Sequence, residues 1–143
     1  MPYKDRGESQ SSGKELLEEF EATQKALDLV EYNQFLSLKF IGKSLGGIIF
    51  SNYLANSSIE IQTKSSLTIL GYIFGDAVLP THVSDIKIIQ GENDKYGVPE
   101  QIINEIKSSD NKNIKFIVIK DADHSYRNAS KEPEFQEEAI GLL

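Results

Sequence analysis

A Gly-x-Ser-x-Gly motif constrains the fold of this chain more than any other feature of its sequence. The motif runs from Gly42 to Gly46 with Ser44 at its centre, and it follows an apolar stretch that ends at Ile41. Glycines on both sides of a serine allow a sharp, strained turn between a strand and a helix, which lifts the serine Oγ out of the fold beside the first amides of the helix. Because such a pattern arises by chance in roughly one chain in twenty of this length, its context must decide its meaning.

Four short apolar runs predict β-strands, and amphipathic or apolar segments between them predict helices. The predicted strands are Leu36–Ile41, Leu67–Phe74, Ile86–Gln90 and Ile114–Ile119, and the predicted helices lie around 16–30, 46–55, 99–106 and 133–143. Near-continuous apolar strands are typical of sheets covered on both faces, and alternation of strand and helix indicates a parallel sheet. We therefore predict a single α/β domain over residues 1–143, with a short, mostly parallel sheet of about four strands flanked by helices.

The charge balance and the absence of cysteine exclude several classes of function. The 143 residues include 22 acidic and 15 basic side chains, giving a net charge of -7, which is the wrong sign for binding a phosphate backbone or an anionic membrane. A chain without cysteine has no disulfide, thiolate metal site or cysteine nucleophile. The N-terminus is polar where a secretory signal would be apolar. We expect a cytoplasmic protein that binds neither nucleic acid nor membranes.

Three reactive side chains follow predicted strands, in the order serine, acid, histidine. Ser44 follows the first strand, Asp94 the third and His124 the fourth. Loops that leave the carboxyl ends of parallel strands gather at one edge of the sheet. A serine hydroxyl becomes nucleophilic when an imidazole takes its proton, and a carboxylate orients that imidazole and stabilises its cation. We predict Ser44 as nucleophile, His124 as general base and Asp94 as the orienting acid.

Other residues compete for these roles. Acidic alternatives to Asp94 are Glu92, Asp76, Asp121 and Asp123, while His82 precedes the third strand and therefore belongs to the end of the sheet away from the site. Asp121, Asp123 and His124 offer too few ligands for a hard cation, and the chain has no His-x-x-x-His pair for zinc. We expect neither a metal nor a cofactor.

The segments around these residues resemble those of a known family. Gly42–Gly47, Ile88–Asp94 and Asp123–Ser125 are similar to the nucleophile elbow, acid loop and histidine loop of α/β-hydrolases, particularly the small dienelactone-hydrolase-like branch. Pro2-Tyr3 with Gly7–Ser9 also resembles the segment that leaves the fourth strand in that branch. The resemblance implies a truncated α/β-hydrolase-like three-layer sandwich that corresponds to the C-terminal part of the fold and lacks the N-terminal strands.

The resemblance also implies an incomplete oxyanion hole. In the family one donor is the N–H of the residue after the nucleophile, which is Leu45 here, and the other comes from a loop after the third strand. Nothing in this sequence can be matched to that loop. Loss of one donor typically lowers turnover by about a hundredfold to a thousandfold, so we expect a weak enzyme as an isolated chain.

Two functions follow as hypotheses. The first is a serine hydrolase that cleaves a small-molecule ester, lactone or thioester through an acyl-enzyme. The second is a non-catalytic or partner-completed module, because the strand Leu36–Ile41 should leave an unpaired edge in the absence of its family neighbour. We therefore expect a homodimer or association with a complementary chain.

Overall fold

The computed structural model describes Gly13 and residues 15–143, which divide into two compact units. The first unit ends at Leu38, and its described part contains helix α1 (Leu17–Leu29) and a 3-10 turn at Tyr32–Gln34. The predicted helix around 16–30 is therefore present. That all 143 residues form a single domain stays a prediction, and the resemblance at Pro2-Tyr3 and Gly7–Ser9 lies outside the described residues.

The second unit, Lys39–Leu143, carries the sheet. The elements in order are β1 (Leu38–Lys43), α2 (Leu45–Ala55), α3 (Ile59–Thr63), β2 (Ser65–Leu70), β3 (Asp85–Gly91), α4 (Pro99–Ser108), β4 (Ile114–Ile119) and α5 (Gln136–Gly141). The strands lie side by side in the order β1-β2-β3-β4, and β3 runs parallel to both β2 and β4. The predicted short parallel sheet with flanking helices is confirmed.

Both faces of the sheet are buried at its central strands, β2 and β3, as their apolar residues require. Leu67 and Ile69 of β2 pair with Ile86 and Ile88 of β3, so these four buried side chains share one face. Helix α2 contacts β2 on this face.

The second face carries the alternate residues of β3 and β4. Ile89 and Ile119 form a buried cluster there with Ala139 of α5, and Phe135 and Leu142 pack against it. Helices on both faces give the three-layer arrangement that the family resemblance implies.

Several element boundaries differ from those predicted. Strand β1 begins and ends two residues later than expected and continues to Lys43, directly before the serine. Strand β2 ends at Leu70 instead of Phe74, because Gly71 turns the chain with a φ of +68°. The last helix begins at Gln136, three residues after Pro133, and the short helix α3 was not predicted. No helix among the described residues is long and apolar enough to cross a membrane.

Candidate active site

Ser44 occupies a strained turn between β1 and α2. Its backbone has φ 52° and ψ -119°, a conformation that L-residues rarely adopt. The turn brings Gly42 so close to the helix that a Cβ on this residue would lie 2.4 Å from the carbonyl oxygen of Gly46. The Ser44 N–H donates to the Leu70 carbonyl at 2.8 Å, which ties the turn to the end of β2. The motif thus forms the strand-to-helix elbow that its glycines predict.

The structure brings Ser44, His124 and Asp94 into one hydrogen-bonded row. His124 Nε2 lies 2.9 Å from Ser44 Oγ, and His124 Nδ1 lies 2.6 Å from Asp94 Oδ2. Asp94 has no exposed surface, and its second oxygen accepts the Tyr96 N–H at 2.9 Å. A carboxylate placed at Nδ1 fixes the tautomer that leaves Nε2 free to accept the serine proton.

Backbone contacts between the loops after β3 and β4 hold the acid and the histidine together. The Asn93 N–H donates to the Ala122 carbonyl at 2.8 Å, and the Glu92 N–H donates to the Ile119 carbonyl at 2.9 Å. Gly91 lies against the same loop, because a Cβ there would be 2.5 Å from the Ala122 oxygen. The two loops are therefore packed backbone to backbone.

The alternative acids have other partners. Asp123 Oδ1 accepts the N–H groups of Ser125 and Arg127, and its Oδ2 pairs with Lys131 Nζ at 3.0 Å. These hydrogen bonds and this ion pair hold the pKa of Asp123 below its ordinary value, against the opposing effect of its partial burial.

The remaining alternatives also lie apart from the imidazole nitrogens. Glu92 accepts the N–H of Asp121 at 2.9 Å and so closes the turn after β4. Asp76 is exposed, and its carbonyl accepts the side-chain amide of Asn52. His82 is an exposed loop residue whose N–H donates to Gln62. Both ring nitrogens of His124 contact Ser44 and Asp94 instead.

Leu45 is the first residue of α2. An N–H at the first position of a helix has no intrahelical acceptor, so the amide of Leu45 is one of the donors that a helix start offers to a developing negative charge. Among the described residues, no group of three or more histidine, aspartate or glutamate side chains is arranged to hold a metal ion.

Three neighbours of His124 were not predicted from the sequence. The Tyr96 ring meets the imidazole edge-on with centroids 4.7 Å apart. A Cβ on Gly71 would lie 2.9 Å from His124 Cε1, so this position leaves room only for hydrogen. Lys43 Nζ donates to the His124 carbonyl at 3.0 Å. Of these three residues, Gly71 alone has a signal in the sequence, because it interrupts an apolar run.

Two further groups shape the surroundings of the histidine loop. Tyr126 is buried with a φ of 58°, and its hydroxyl donates to the Ile89 carbonyl at 2.8 Å. Burial raises the pKa of this phenol well above its usual range. Lys43 is an exposed residue, but the loss of part of its hydration lowers its pKa, while the carboxylates of Asp94 and Asp123 act in the opposite direction.

Comparisons with known proteins agree with this architecture. A model of the family described as alpha/beta hydrolase domain matches residues 3–142. The fold is similar to that of an alpha-beta serine hydrolase homologue from Coxiella burnetii, with a TM-score of 0.61 and 20% identity over 96% of this chain and 62% of that chain. A putative alpha/beta hydrolase from Agrobacterium tumefaciens gives a TM-score of 0.64 and 20% identity over 94% of this chain and 61% of that chain.

A monoacylglycerol lipase from Paleococcus ferrophilus is also similar, with a TM-score of 0.57 and 14% identity over 86% of this chain and 72% of that chain. At these identities the likeness concerns the fold. This chain spans about three fifths of the length of the first two proteins. No curated protein matches the sequence significantly.

Proposed function

Because this chain belongs to the alpha/beta hydrolase domain family, we propose that it is a serine hydrolase that cleaves an ester, lactone or thioester through an acyl-enzyme. The observation that carries the proposal is the hydrogen-bonded row from Ser44 Oγ through the His124 imidazole to Asp94, with its serine on a strained elbow. The motifs around these residues also support placing the chain in the dienelactone-hydrolase-like branch.

In the proposed reaction, Ser44 Oγ attacks the substrate carbonyl while His124 Nε2 takes its proton. Asp94 holds the Nδ1 proton and stabilises the imidazolium that forms. The amide of Leu45 donates to the oxyanion. His124 then gives the proton to the leaving alcohol or thiol, and the acyl group stays on Ser44. Water, activated by the same imidazole, releases the acid and restores the serine.

A fluorophosphonate probe tests this proposal directly, since it reacts only with an activated serine. We expect a single adduct by intact-protein mass spectrometry, located at Ser44 by peptide mapping. Ser44→Ala and His124→Ala should abolish labelling, because loss of either the nucleophile or the base of such a unit typically lowers the rate by about 10⁶-fold.

The chain contains matched controls for these variants. His82→Ala removes the second histidine, which is exposed and bonds through its backbone, and should label at the wild-type rate. Asp94→Asn should slow labelling by about 10⁴-fold through loss of the correct tautomer, whereas Asp123→Asn should not. Labelling that survives His124→Ala would contradict the proposed base.

A second candidate function is a non-catalytic or partner-completed module of the same fold. The observation that favours it is that β1 forms one edge of the sheet in the described part of the chain. Under this proposal the fluorophosphonate gives no adduct with the folded chain alone, and the protein associates through that edge.

A further inference from the structure

A cavity of about 250 Å³ lies behind the histidine loop, and the proposed reaction does not use it. Its lining has three aliphatic side chains, one aromatic side chain, two polar side chains and one cation: Leu70, Ala139, Ile140, Tyr126, Ser125, Gln136 and Lys43. The apolar part continues the buried cluster of Ile89 and Ala139, which Leu70 also contacts. The cavity therefore joins an aliphatic surface to a single positive charge.

Lys43 has hydrogen-bonding capacity to spare at this cavity. Its Nζ donates one proton to the His124 carbonyl at 3.0 Å and lies 5.7 Å from the centroid of the Tyr126 ring. An ammonium carries three protons. Within the described part of the chain, no carboxylate lies within ion-pair distance of this group.

A bound anion would suit this environment. Although Lys43 is an exposed residue, the protein displaces part of the water around its ammonium, which disfavours the charged form. The more distant carboxylates of Asp94 and Asp123 favour that form, and the cation of Arg127 opposes it. A carboxylate in direct contact would stabilise the ammonium by a charge-assisted hydrogen bond. The aliphatic lining would in turn take up an apolar tail.

We propose that this cavity binds a small aliphatic monocarboxylate, with its carboxylate on Lys43 Nζ and its tail against Leu70, Ala139 and Ile140. One lysine matches one carboxylate, since a phosphate monoester would leave a second charge uncompensated against an apolar surface. The volume lies below the usual range for drug-sized ligands, which limits the tail to a few methylenes. Ser44 does not line this cavity, and the proposed binding does not depend on the proposed hydrolysis.

Titration of the full 143-residue chain with hexanoate tests the site, with binding followed by amide chemical shifts in NMR spectra. We expect saturable shifts at Lys43, Ser125 and Ile140. Acetate has the head group without the tail and should bind more weakly, because affinity rises about threefold to fourfold per buried methylene. Hexan-1-ol has the tail without the charge and should also bind more weakly than hexanoate.

Substitutions separate the charge from the fold. Lys43→Met should weaken hexanoate binding at least tenfold, and Lys43→Arg should retain most of it. Lys39→Met is the matched control, because it removes a lysine from the same strand that bonds Leu143 rather than the histidine loop. Ile140→Glu places a negative charge at an exposed part of the lining and should abolish binding while the chain stays folded.

Three outcomes would overturn the proposal. The first is the absence of saturable hexanoate binding to the wild-type chain. The second is binding by folded Ile140→Glu or Lys43→Met protein that equals wild-type binding, which would place the anion elsewhere. The third is equal weakening by Lys39→Met and Lys43→Met, which would make the attraction nonspecific. A fluorophosphonate adduct, present or absent, has no bearing on these measurements.

Discussion

At the residue scale, Tyr96 contacts both Asp94 and His124, although it is not one of the three side chains in the hydrogen-bonded series Ser44, His124 and Asp94. Its N–H binds one oxygen of Asp94, and its ring packs edge-on against His124, while about half of the side chain stays exposed. An aromatic pair of this geometry contributes about 0.5–1.5 kcal/mol. We infer that the ring restricts the imidazole to the orientation that meets both Ser44 and Asp94.

Tyr96→Ala should therefore slow fluorophosphonate labelling of Ser44 by up to about tenfold. The substitution should lower the maximal rate of inactivation, because it loosens the orientation of the imidazole. The probe concentration that gives half of the maximal rate should stay the same, because the substitution leaves the binding site of the probe unchanged. Tyr96→Phe keeps the ring and the backbone N–H and should label like the wild type. Equal loss in both variants would assign the effect to the hydroxyl and contradict a role for the ring.

At the element scale, the elbow between β1 and α2 depends on one of its glycines far more than on another. A Cβ at Gly42 would lie 2.4 Å from the Gly46 oxygen and 2.6 Å from the Gly47 nitrogen, both backbone atoms of the helix start. At Gly46 an added Cβ meets no atom within 4 Å. The two glycines of the motif therefore differ in whether they can be replaced by a residue with a Cβ, although nothing in the motif distinguishes them.

Gly42→Ala should destabilise the chain by several kcal/mol or distort the elbow, because rigid backbone must move. Gly46→Ala is the matched control and should be neutral or stabilising by up to about 1 kcal/mol, since alanine is the better helix former. Urea unfolding gives both free energies, and fluorophosphonate labelling reports the elbow. A Gly42→Ala protein as stable as Gly46→Ala would contradict the close approach of β1 and α2.

The same elements explain how far the sequence alone could lead. That Ser44, Asp94 and His124 come together could be predicted, because each follows a strand and the parallel order of the sheet brings such loops to one edge. Gly71 and Lys43 were not, because their contacts with His124 depend on how neighbouring loops pack. The bounds of β1 and β2 differ from the predicted ones because apolar character does not mark where a strand ends. Strand β1 continues beyond its apolar run to Lys43, whereas β2 ends at Leu70 although apolar residues follow, since Gly71 turns the backbone.

At the scale of the whole molecule, two buried tyrosines couple stability to alkaline pH. Tyr72 and Tyr126 are at most 3% exposed. Burial raises the pKa of both phenols above the usual range, and for Tyr72 the hydrogen bond to Glu105 at 2.7 Å adds to the effect. Below about pH 10 both the folded and the unfolded chain keep the two phenol protons, so the free energy of unfolding does not depend on their ionisation in that range.

Above about pH 10 the unfolded chain releases the protons while the folded chain retains them, so the free energy of unfolding should fall by about 1.4 kcal/mol per pH unit for each tyrosine. Urea unfolding from about pH 8 to about pH 11 measures this slope. Tyr72→Phe should make this slope shallower by the contribution of one tyrosine. Tyr96→Phe, at a half-exposed ring, is the control. A slope unchanged by Tyr72→Phe would show that this phenol ionises in the folded chain.

Strand β1 is the whole-molecule feature that we expect to govern association. It forms one edge of the sheet in the described part of the chain, and Ile41 on it is 41% exposed. An edge strand presents unpaired N–H and carbonyl groups that a second copy of the same strand can meet in antiparallel fashion. We therefore predict that the protein forms a dimer through paired β1 strands.

Light scattering after size exclusion, over a wide range of protein concentration, should then give a mass that rises towards twice 16.0 kDa. Ile41→Lys should shift the equilibrium to the monomer, since it adds a third lysine to a strand that already carries Lys39 and Lys43 and so opposes pairing of two copies. Val118→Lys is the matched control, because Val118 is 40% exposed on β4 at the other edge. A mass of one chain at all concentrations, or equal dissociation by both variants, would contradict association through β1.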